Sequence, residues 1–130
     1  ECDRFAMIID FKRGTVGWAD WNILLDETGG PNHVGNFCFA PVHGDTKTGQ
    51  LIYTNAYYYI GHFSKFIKPG AKRIISSRSQ LLTTAFKNED GSVVVVVMNQ
   101  GSIKTPYSLW INGKAVQVTA LPHSIATLIF

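Results

Sequence analysis

The chain has 130 residues, 45% of them hydrophobic, and a formal net charge of +3, enough apolar mass for one domain's core. Two cysteines, Cys2 and Cys38, and four scattered histidines exclude a disulfide framework and a Cys/His metal site, so no metal or other cofactor is expected. No apolar run approaches the roughly 18 residues of a membrane span, and so mild a charge gives no positive reason to expect a nucleic-acid partner.

No signal peptide opens the chain, which begins at Glu1 rather than Met, and an upstream portion is expected to precede it. Residues 5–11 place Phe5, Ile8 and Ile9 at helical spacing. Lys12 and Arg13 suit the negative end of that helix, and Gly14 stops it. The segment Val16-Gly-Trp-Ala-Asp-Trp-Asn-Ile-Leu-Leu25 predicts, over 15–25, a strand buried on both faces, of the kind found in parallel sheets. Its pleat puts Trp18, Asp20 and Asn22 on one face and Ala19, Trp21 and Ile23 on the other. Gly29-Gly-Pro31 forces a turn, and Asn32 and Asn36 lie on the loop beyond it.

Aromatic and polar residues at a strand end, followed by a loop, mark the binding face of a β/α barrel. Sugars suit them: an indole covers the apolar face of a pyranose while Asn and Asp pair with its hydroxyls. For the strand taken alone, two core tryptophans beside a merely hydrogen-bonded Asp20 account for the pattern equally well.

The loop from Asp26 to about Gly49 is long enough to imply function or disorder, and Phe37, Phe39 and Val42 favour order. Residues 50–54 predict a short extended piece, and Asn55 a cap for a helix from Ala56 to about Ile67. Tyr59, Ile60, Phe63, Phe66 and Ile67 form its apolar stripe, so the tyrosines at 57–59 are read as core, and Pro69-Gly70 closes it. Strands follow at Lys72–Arg78, Leu82–Phe86, Ser92–Asn99, Tyr107–Ile111, Lys114–Thr119 and Ser124–Phe130, with Asn112-Gly113 a strong hairpin signal. Residues 71–130 therefore predict an antiparallel meander, a sandwich or half of one.

The segments Val16-Gly-Trp-Ala-Asp-Trp-Asn22, Gly29-Gly-Pro-Asn32, Gly61-His-Phe-Ser-Lys-Phe-Ile67 and Asp90-Gly-Ser-Val-Val-Val-Val-Val-Met-Asn99 together resemble the C-terminal third of glycoside hydrolase family 30. The similarity is to its glucosylceramidase-like (acid β-glucosidase) branch and spans essentially the whole chain. It implies α/β plus all-β architecture: the last β/α unit of a (β/α)8 barrel over residues 1–70, then an antiparallel β-sandwich module over 71–130. It also implies retaining hydrolysis of β-glycosides by two carboxyl groups about 5–5.5 Å apart. In the family both are glutamates near the ends of earlier barrel strands, and neither lies in this chain. Glu1 resembles a glutamate slightly downstream of the nucleophile, so the chain alone is expected to be inactive. The same resemblance implies a secreted or lysosomal-type compartment.

What the resemblance carries over is binding. Trp21 matches the tryptophan lining the pocket for the terminal glucose, Asn36 a loop asparagine of the same pocket, and Asp20 the aspartate that orients pocket groups. Trp18 and Asn22 match positions that are mainly structural. His33 and Gly35 depart from the Trp and Arg of animal lysosomal members, on the side that receives the aglycone. The implied substrate is a β-glucoside such as glucosylceramide; other members act on β-1,6-glucan or β-xylosides.

Two further readings stand beside this one: a non-catalytic carbohydrate-binding or structural β-module, and an interaction module built on the basic stretch. No acidic residue lies between Asp45 and Glu89, where Lys47, Lys65, Lys68, Lys72, Arg73, Arg78 and Lys87 all fall. That stretch fits either a solvated face, an acidic partner or an anionic membrane surface. Residues 15–25 need a neighbour, since a barrel strand leaves both edges open. That neighbour is expected to be the upstream barrel portion or another copy of the chain. Residues 71–130 likewise look like sheets lacking strands, which in the family come from the chain's beginning.

Overall fold

A computed structural model describes residues 3–76 and 80–130. The helix foreseen at the start, α1, runs Asp3–Lys12 and buries Met7 and Ile8. Its end follows the predicted glycine stop: Gly14, at φ +100°, donates to the Phe11 carbonyl at 3.2 Å and Thr15 to that of Asp10 at 3.1 Å. That pair of bonds is a Schellman cap.

The strand expected over 15–25 is not formed along its length. Only Leu24–Asp26 pairs (β1), in parallel with Val42–Gly44 (β2), a strand the sequence reading left inside the long loop. Residues 16–23 run irregularly, with Asn22 at φ 55° and Val16 fully exposed. The physical reason is one of neighbours: a barrel strand is held by ladders on both edges, and here β1 has a partner on one edge only. The short piece Leu51–Tyr53 (β3) completes a three-stranded sheet in the order β1-β2-β3.

The second helix, α2, spans Asn55–Ser64. Thr54, not Asn55, holds the N-cap position, but its hydroxyl donates to the Ala40 and Pro41 carbonyls instead of capping the helix. The helix stops short of Ile67, yet a following turn carries Phe66 and Ile67 onto the predicted stripe with Tyr59, Ile60 and Phe63. The three tyrosines divide: Tyr59 packs on the core, whereas Tyr57 and Tyr58 are exposed.

Six strands follow: β4 (Lys72–Ile74), β5 (Leu82–Lys87), β6 (Val93–Asn99), β7 (Thr105–Ile111), β8 (Lys114–Ala120) and β9 (Ser124–Ile129). The end of the predicted Lys72–Arg78 strand, including Arg78, lies outside the described residues, as does Cys2. The order is not a simple meander. The sheet runs β4-β5-β6-β9, while β7 and β8 leave it as a separate hairpin turned by Asn112 and Gly113, both at positive φ.

This arrangement explains the valine run. Val94, Val96 and Met98 face the helices, in one cluster with Ile8 and Phe63. Val95 and Val97 face the hairpin, in a second cluster with Ala120, Tyr107 and Leu109. A strand buried on both faces has no solvent side, so its apolar residues do not alternate with polar ones. The hairpin and sheet thus form two layers, with the helices packed on the far side.

Candidate functional site

At the point where the first predicted strand breaks, Trp18 and Trp21 take opposite roles. Trp18 packs against the helix cluster. The Trp21 side chain stands 75% exposed. Between them the Asp20 carboxylate accepts the Trp21 backbone N–H at 2.8 Å. That local bond competes with a ladder and favours a bend. Asp20, Asn22 and Ile23 line one side of an open cleft of about 590 Å³, with Tyr57, Tyr58 and Ile60 of α2 opposite. Its size falls in the usual range for small-molecule sites. Neither Trp21 nor Asn36 is among its lining residues.

Farther on, the loop after β1 is tied in a compact knot. The Asp26 carboxylate accepts from the Thr28 hydroxyl at 2.6 Å and from the Thr28 and Gly30 N–H groups at 2.8 Å each. Those bonds, the Thr28 hydroxyl first, lower its pKa from the ordinary 3.8 and keep it ionised. Gly29, at φ +89°, lets the chain pass against Cys38, whose carbonyl a Cβ there would strike. Gly30-Pro31 is cis. From this knot residues 31–37 project outward, exposed throughout, and Asn36 rides on that limb.

The limb returns through Cys38, whose N–H donates to the Gly29 carbonyl at 3.0 Å, and through Ala40. Sequence reasoning missed the residue that closes this neck. His43 is buried on β2; its Nδ1 lies 2.7 Å from the Asp26 carbonyl, and its Nε2 accepts the Ala40 N–H at 3.2 Å. The signal was slight: an apolar-flanked histidine in Pro41-Val-His-Gly44.

The described glutamates have other duties. Glu27 accepts the Thr46 N–H and hydroxyl at 2.9 Å each, which lowers its pKa from 4.5, opposite to what a general acid needs. Glu89 lies in the exposed turn between β5 and β6, beside Gly70. Among the described residues no group of three or more His, Cys, Asp or Glu can hold a metal ion. What this surface offers is an exposed indole with carboxylate and carboxamide groups beside it in sequence.

Comparison with known proteins places these parts. The family model described as the glycosyl hydrolase family 30 TIM-barrel domain matches residues 3–67, and that of the family's β-sandwich domain residues 70–128. A lysosomal acid glucosylceramidase of Mus musculus is 41% identical over 107 residues, 80% of this chain and 21% of that protein. The structure of SrfJ from Salmonella typhimurium superposes with TM-score 0.95 at 36% identity, covering 98% of this chain and 29% of that one. An endo-β1,6-glucanase, BT3312, superposes at 0.73 with 26% identity over 82% of this chain and 25% of its own. The chain spans only 21–25% of the length of the curated relatives it matches. It belongs to glycosyl hydrolase family 30, carrying part of that family's barrel together with its β-sandwich domain.

Proposed function

We propose that the chain is the C-terminal portion of a retaining β-glucosidase of glucosylceramidase type. Residues 1–70 end the barrel and 71–130 form the sandwich. It supplies a wall of the glucose pocket, while both catalytic glutamates come from upstream. The observation that carries this is the Trp21 indole, standing free of the core beside Asp20 in a chain 41% identical to a glucosylceramidase. A flat indole stacks on the C–H face of glucose. Asn36 pairs with its hydroxyls through both donor and acceptor, and Asp20 orients the groups of the pocket wall. Proton transfer and nucleophilic attack belong to the upstream carboxyl pair.

The test is hydrolysis of an aryl β-glucoside by the 130-residue chain and by the full-length enzyme. We expect turnover only from the latter; turnover by the chain that is lost in Glu27→Gln or Glu89→Gln overturns the reading. The alternative within the family, a β-1,6-glucanase or β-xylosidase, draws support from the likeness to BT3312 and from His33 and Gly35. Full-length enzyme preferring β-1,6-glucan or an aryl β-xyloside to glucosylceramide would favour it. A non-catalytic carbohydrate-binding or structural module is the reading left if the full-length protein hydrolyses none of them.

Two partners follow from the same reading. The open edge of β1 and the cleft along α2 suit the upstream barrel portion or, in a lone chain, a second copy. An anionic membrane surface suits the exposed Lys65, Lys68, Lys72, Arg73 and Lys87; vesicle binding that weakens with salt supports it, and salt-independent binding does not.

A further inference from the structure

We infer that His43 is a positioning residue for the sugar-binding loop, fixing the limb that carries Asn36 through the geometry of its neck; this rests on the pocket reading above. The Ala40 N–H can only donate, so Nε2 must be the unprotonated, accepting nitrogen and Nδ1 must carry the hydrogen. Nδ1–H then donates to the Asp26 carbonyl at 2.7 Å. One neutral ring, in a single tautomer, therefore joins the residue where the loop leaves β1 to the residue where it returns.

The tie continues beyond the ring. The Ala40 carbonyl accepts the Thr54 hydroxyl at 3.1 Å, and the Pro41 carbonyl accepts the Thr54 N–H at 2.9 Å. So the far end of the neck is anchored to the start of α2. The Phe39 ring packs on the imidazole with centroids 5.2 Å apart. Residues 31–37 beyond the neck are exposed throughout, so the seat of the limb is determined where it is tied. A small rotation there is magnified at Asn36, whose amide must meet sugar hydroxyls within hydrogen-bond reach. A hydrophobic residue of similar size would fill the same space but leave the buried Ala40 N–H without a partner and the Asp26 carbonyl with the Gly29 N–H alone, at 3.0 Å.

The experiment uses the full-length enzyme and an aryl β-glucoside. His43→Leu removes both bonds. His43→Asn can still donate to the Asp26 carbonyl, and His43→Gln can still accept from Ala40. We expect His43→Leu to raise KM about tenfold with kcat changed far less, and the Asn or Gln variant to recover part of that loss. Amide exchange over residues 31–41 should quicken in His43→Leu while that of β6 stays unchanged. A lowered Tm with unaltered KM, or equal KM in all three variants, overturns the proposal; the Asn and Gln variants decide it if the Leu variant does not fold. Asn36→Ala separates the two levels. If it leaves kinetics unaltered, the pocket reading of the loop fails. If it raises KM while His43→Leu does not, only the positioning role fails.

Discussion

Two buried polar side chains on the sandwich show opposite energetics. Asn99 is buried, donates to the Ile103 and Leu121 carbonyls at 2.8 and 3.0 Å, and accepts the Gly101 N–H at 3.0 Å. Truncating it strands several backbone groups, so Asn99→Ala should lower unfolding free energy by about 2 kcal/mol in denaturant titrations. The Thr84 hydroxyl is buried on the helix face of β5 with no partner. Thr84→Val, of nearly the same shape, should raise stability by about 1 kcal/mol. His62 adds a pH-dependent contribution. Its Nδ1 meets the Thr127 hydroxyl at 2.9 Å, and that hydroxyl donates to the His62 carbonyl at 3.0 Å, joining α2 to β9. Burial lowers the ring's pKa below the ordinary 6.5. The unfolded chain therefore takes up the proton first, and this contribution is complete above pH 6.5 and lost as pH falls through the folded-state value. His62→Gln should remove that part of the decline in a pH series of melting curves. The decline in the acid range, from Asp26, Glu27, Asp45 and Asp90, whose pKa values hydrogen bonds lower, should remain.

Among the elements, the sandwich strands were readable because their signals are local. Asn112-Gly113 fixes a hairpin by backbone conformation, and the valine run has no competing assignment. The amphipathic stripe of α2 was readable for the same reason. Residues 16–23 were not, because their extended state depends on ladder partners that local sequence does not encode. The same dependence hid β2, three residues that pair only because β1 and β3 flank them. His43 was illegible in turn, since its role rests on the carbonyl of Asp26, far along the chain and brought near by that pairing. The site residues Trp21, Asp20 and Asn36 came from a family pattern; the strand's spacing alone permitted a core assignment of Trp18 and Trp21 beside a hydrogen-bonded Asp20 equally well. In the chain by itself, amides of 16–23 should exchange nearly unprotected while those of β6 are protected. In the full-length enzyme 16–23 should gain protection; protection in both would mean the strand forms without barrel neighbours.

For the molecule as a whole, the division of labour follows from where its surfaces are finished. The sheet of the sandwich is closed on one face by the helices and on the other by the β7–β8 hairpin. The barrel portion is left open: Trp21, Ile23, Phe37 and Phe39 are all exposed, and the cleft along α2 is lined by Asp20, Asn22, Ile23 and Pro41 from the same stretches of chain. Exposed apolar side chains of this size suit an interaction surface, in keeping with the proposal that upstream chain completes the pocket. The most direct measurement is kcat/KM of full-length enzyme with Trp21→Ala on an aryl β-glucoside, alongside its melting temperature. Loss of an indole platform in the transition state predicts a fall of about 100-fold, close to 3 kcal/mol, with the melting temperature nearly unchanged. Kinetics equal to those of the unaltered enzyme would contradict the account.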